Sequence, residues 1–85
     1  MKNSTSNIVS GRQLRAARVL ASLTQAQLAQ QAGFHVRACR YWEAQGDDPP
    51  TSIPSSLAKI EAALERNGVA VFSDPSPGAR LAPHR

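Results

Sequence analysis

The chain has a single cysteine, Cys39, so no disulfide can form within it and a disulfide-stapled scaffold is excluded. Histidine is nearly as scarce. With only His35 and His84 beside that cysteine, the usual four ligands of a structural zinc site are missing. No apolar run approaches the roughly 20 residues that span a bilayer. Residues Met1 to Asn7 lack the apolar stretch of a signal peptide. These absences lead us to expect a soluble protein of a reducing compartment, the cytoplasm, with no metal, no cofactor and no membrane partner.

Acid is missing from half of the chain. From Met1 to Trp42 there are six basic residues (Lys2, Arg12, Arg15, Arg18, Arg37, Arg40) and no Asp or Glu. All six acids and the other four basic residues follow from Glu43 on, and the net charge is +4. A polyanion is the natural partner of a purely cationic half. A merely basic, solvated surface is the alternative that charge alone leaves open.

What is present suits one small domain. The chain has 85 residues, 41% of them apolar, enough for one core. A chain this short leaves no room for a pocket-bearing catalytic domain, and no nucleophile–base set stands out, so no enzyme is expected. Residues 1–10 are polar at first and read as a flexible arm. Ser10-Gly11-Arg12-Gln13 reads as a capping box opening a first helix over roughly 11–21, with Leu14, Ala17 and Ala21 at helical spacing. Thr24-Gln25-Ala26-Gln27 is a second capping box. Leu28, Ala29 and Ala32 line the helix it opens, and Gly33 suits a left-handed C-cap. In the next helix Cys39 and Trp42 share one face, and His35, Val36, Arg37, Arg40 and Tyr41 fall largely on the other. Gly46 to Pro50 is a loop by turn chemistry. Ile53, Leu57, Ile60 and Leu64 then mark a strong amphipathic helix that ends at Asn67-Gly68. Val69–Phe72 is β-prone, and 73–85, with three prolines, reads as a disordered tail.

Two short helices joined through a glycine form the helix-turn-helix pattern. The stretch Thr24 to Phe34, followed by Tyr41-Trp42-Glu43, resembles the lambdoid repressor and Cro-like helix-turn-helix family, also called the Xre family. The likeness spans about residues 11–66 and rests on Gln25, Leu28-Ala29, Gly33 and Glu43 at the family's spacing. The sequence departs from the pattern at His35, where Ser or Thr is usual, at Cys39, where a β-branched Ile or Val is usual, and at Trp42, which is larger than the usual Ile or Leu. The resemblance implies an all-α, four-helix, lambda-repressor-like domain over 11–68, here with a possible short C-terminal strand over 69–72.

It also implies a DNA-binding set: Gln25, His35, Val36, Arg37, Arg40 and Tyr41. Gln25 matches a phosphate-contacting position at a helix start, where free amides favour anions; a plain solvated helix start is its bland alternative. Val36, Arg37 and Tyr41 match base-reading positions. Arg37 can donate twice to a guanine edge and Val36 can touch a thymine methyl. Arg40 faces the same way and suits phosphate. His35 is an N-cap or a neighbour of phosphate. By the same resemblance Glu43 pairs with Arg18; two separate surface charges is the other reading.

The function expected is a sequence-specific transcriptional regulator, a repressor of bacterial or phage type. It would bind a double-stranded DNA operator as a homodimer that pairs Val69–Phe72 of two chains. The alternatives are the DNA-binding antitoxin of a toxin–antitoxin pair, whose tail would fold on a toxin protein, and a protein-interaction adaptor of the same fold.

Overall fold

The structure, a computed structural model, describes residues 6–47 and 54–82. Four helices come first: α1 (Gly11–Leu20), α2 (Gln25–Ala32), α3 (Val36–Glu43) and α4 (Pro54–Arg66). Two strands follow, β1 (Val69–Phe72) and β2 (Gly78–Leu81). The chain is mostly helical, as expected, with a hairpin in place of a lone strand. Ile53 and the loop residues Asp48 to Pro50 lie outside the described residues.

The helix boundaries follow local chemistry. Thr24 caps α2 reciprocally: its hydroxyl accepts from the Gln27 amide at 3.0 Å, and the Gln27 side chain accepts from the Thr24 amide at 2.9 Å. His35 Nδ1 accepts from the Arg37 amide at 3.1 Å and caps α3. Gly33, at φ 88° and ψ 28°, closes α2 in the left-handed region. Its amide donates to Gln30, and the Phe34 amide donates to Ala29 at 2.8 Å, a Schellman closure. The chain therefore leaves α2 and enters α3 within three residues.

At Ser10 only half of the expected capping box forms. The Ser10 hydroxyl accepts from the Gln13 amide at 3.0 Å. The Gln13 side chain passes over the Ser10 amide and accepts from Val9 N–H at 2.7 Å. Its own Nε2 donates to the carbonyls of Phe72 (2.7 Å), Asn7 (3.0 Å) and Gly78 (3.1 Å). One buried amide thus ties the N-terminal segment, α1 and the hairpin together.

The core draws on every element except β2: Leu14 and Ala17, Leu28 and Ala29, Cys39 and Trp42, Leu57 to Leu64 at helical spacing, and Val69 and Val71. The periodic positions read from the sequence are mostly its members. Ala21 and Ala32 are only partly buried against it, and Val19 of α1 is largely exposed.

Two expectations at the ends of the chain are corrected where residues are described. Ser6 to Ser10, expected to belong to a flexible arm, are held against the fold. Glu61 on α4 accepts from the Ser6 hydroxyl (2.6 Å), the Asn7 amide (2.9 Å) and the Asn7 side chain (3.2 Å), and Ile8 is buried beside them. Residues 1–5 lie outside the described residues. The expected disordered tail contains a strand, Gly78–Leu81. β2 pairs antiparallel with β1, setting Val69 opposite Leu81 and Phe72 opposite Gly78. This pairing satisfies backbone groups of β1 within the chain, so β1 does not need a second copy for that purpose. Residues 83–85 lie outside the described residues.

Candidate nucleic-acid interface

The helix α3 has two unlike sides. At about 100° per residue, Cys39 and Trp42 turn one way and Arg37, Arg40 and Tyr41 the other. Cys39 and Trp42 are buried, and the Trp42 ring meets the Phe34 ring edge-on at 5.4 Å and 82°. Burial, helped by the nearby Glu43 carboxylate and opposed by Arg18, pushes the Cys39 thiol up to about 11. A thiol held protonated in this way is a packing group. Arg37, Arg40 and Tyr41 are exposed. Their helix is anchored from beneath, so their backbone positions are held while their side chains face solvent.

The other expected site residues divide. His35 is exposed and occupied as the cap of α3. Val36 is half-buried and packs against the core, so only part of its side chain is open to solvent. Gln25, at the first turn of α2, is not a free solvated side chain. Its Nε2 donates to Glu43 Oε1 at 3.0 Å.

Glu43 is the centre of that arrangement. It receives Arg18 Nε at 2.6 Å and Arg18 Nη2 at 3.1 Å, with the two side chains only 15% and 5% exposed. Arg18 Nη1 donates to the Leu23 carbonyl at 2.9 Å. The Glu43–Arg18 pair therefore joins α1, the approach to α2, the start of α2 and the end of α3. A two-pronged guanidinium–carboxylate contact of this kind is directional as well as strong.

Ion pairing also sorts the cations. Among the described residues, the carboxylate partners are Asp47 for Arg12 and Glu43 for Arg18. Arg15, Arg37 and Arg40 have no carboxylate partner there, and each is exposed. Two contributors to this face escaped sequence reasoning. In the sequence Arg15 is only one basic residue of the acid-free half, because nothing local shows that α1 runs beside α3. Gly11 matters through close approach: a Cβ there would collide with the Trp42 carbonyl oxygen and lie 2.9 Å from that of Glu43. No protein-family model and no curated protein matches the chain.

Proposed function

We propose that the protein is a DNA-binding transcriptional regulator, a repressor of bacterial or phage type, in which α2, the Gly33 turn and α3 act as a helix-turn-helix unit. The lambda-repressor-like arrangement is part of the same proposal. The observation that carries it is the outward side of α3, where Arg37, Arg40 and Tyr41 stand exposed on a helix whose other side is locked by Cys39 and Trp42. The major groove, about 12 Å wide, admits such a helix. Arg37 then offers its two parallel donors to a guanine edge, and Tyr41 offers a hydroxyl to a neighbouring base. The open part of Val36 meets a thymine methyl. Gln25, already held by Glu43, retains a second N–H for a backbone phosphate. His35 lies at the α3 start beside the same backbone.

One such helix covers only a few base pairs, so the regulator acts as a homodimer on two half-sites. Selecting bound duplexes from a random DNA pool tests the whole reading. The expected outcome is an enriched site with inverted half-sites. Its affinity falls with salt at about −0.9 in the log–log slope per neutralised phosphate. A pool that stays random, or an affinity indifferent to salt, defeats it.

A further inference from the structure

A cleft of about 490 Å³ opens between α1 and α3, lined by Arg15, Arg18, Gln25, Arg40, Glu43 and Ala44. We propose that this cleft is a phosphate site, clamped between Arg15 of α1 and Arg40 of α3. When the protein is on duplex DNA, a backbone phosphodiester fills it. The identity of that source rests on the DNA-binding reading above; the phosphate chemistry does not.

The charge balance points to an anion. Arg18 and Glu43 neutralise one another in a closed ion pair, and Gln25 donates to the same carboxylate. What remains on the cleft walls is Arg15 and Arg40, two exposed guanidiniums without a carboxylate partner among the described residues. Two like charges facing one cleft repel, and an anion between them turns that repulsion into attraction. The forked donors of arginine match phosphate oxygens in pairs. Ala44, a small residue just past the end of α3, completes the lining.

The placement gives the site a task. Arg40 lies one helical turn from Arg37 on the same helix, and Arg15 lies on a different element. A phosphate held by both ties α1 to the backbone and sets the tilt of α3 in the groove. Such a contact positions the protein without reading sequence.

Two measurements on the full chain test this. In the first, inorganic phosphate replaces chloride at equal ionic strength while the arginine Nε–H signals are followed by NMR. The Arg15 and Arg40 signals should move together and saturate, while those of Arg66 and Arg80 stay still. In the second, duplex affinity is measured against salt for the parent protein, Arg15→Ala and Arg40→Ala. Each substitution should lower the slope by about 0.9 and weaken all duplexes alike. Both arginines are exposed, so the variants should fold, and circular dichroism checks that. Ala44→Glu, which adds a carboxylate to the cleft, should abolish the phosphate response.

If duplex binding persists with an unchanged slope in both variants, and phosphate moves neither signal, the clamp is overturned while the regulator reading stands. If no duplex binds the parent protein but phosphate still moves both signals, the regulator reading falls and the cleft stands as a site for a free phosphate group.

Discussion

Gly11 at the start of α1 lies directly against the carbonyl oxygen of Trp42 at the end of α3, in the space a Cβ would need. The Arg12 amide donates to the Gly46 carbonyl at 2.7 Å beside it. In an open helix, replacing glycine with alanine is stabilising by about 0.5–1 kcal/mol. Here the added atom meets backbone on three sides, from Trp42, Glu43 and Gly46, and none can swing away. Gly11→Ala should therefore destabilise the protein by about 1–3 kcal/mol, the usual cost of overpacking. Urea unfolding decides the sign, and a stabilised variant would show that α1 and α3 are not in contact there.

Glu43→Ala should cost about 3 kcal/mol or more. It leaves the Arg18 guanidinium, 15% exposed, without its partner, and it frees Gln25. For a domain of this size that lowers the melting temperature by roughly 10 °C or more. Asp47→Ala is the matched control. Its partner Arg12 is 75% exposed and Asp47 itself 77%, so the loss should stay within about 1 kcal/mol. Equal effects of the two substitutions would mean that Glu43 does not hold the helices together.

Gln13→Ala should loosen the ends of the chain before it unfolds the middle. It removes the donor to Asn7, Phe72 and Gly78 and the acceptor for Val9. Groups left unpaired in this way cost about 1–3 kcal/mol each site. Amide exchange in β1 and β2 should quicken more than exchange in α2 and α3. Uniform quickening would place Gln13 outside any hairpin clamp.

Cys39 should be silent to thiol reagents at pH 8 in the folded protein. Its thiol is raised from 9.0 to about 11, first by burial and then by Glu43. The folded value lies above the unfolded one, so the folded state holds the proton more tightly. Stability from this group is fully present below about pH 9 and declines as pH rises through about 11. Labelling in denaturant should be fast. Rapid labelling under native conditions would contradict the packing of α3.

Arg37→Ala should relax base preference at one position of the selected site and weaken it by about 1–3 kcal/mol. Selection repeated with the variant reads this directly. If the preferred site is unchanged and every duplex weakens alike, Arg37 touches phosphate and the base reader lies elsewhere.

Local interactions made much of this architecture legible. Thr24, His35 and Gly33 act within four residues of themselves, so α2 and α3 could be bounded from the sequence. Periodicity placed Leu28, Ala29, Cys39, Trp42, Leu57, Ile60 and Leu64 in the core, because a helix repeats its inward side every three to four residues. The contact of Arg18 with Glu43 was expected from family resemblance alone; no spacing rule reaches across 25 residues.

Tertiary structure decided the rest. Gly78-Ala79-Arg80-Leu81 has neither β-branched nor aromatic residues and follows two prolines, so nothing local marks it as a strand; pairing with β1 makes it one. The same holds for Asn7 and Glu61, for Gln13 and the hairpin, and for Gly11 and Trp42, pairs brought together only when the helices pack. Sequence by itself determined where the helices start, stop and turn inward, because those choices are settled by neighbours a few bonds away. Which surfaces meet, and so which arginines stand exposed beside α3, was decided by packing between segments far apart in the chain.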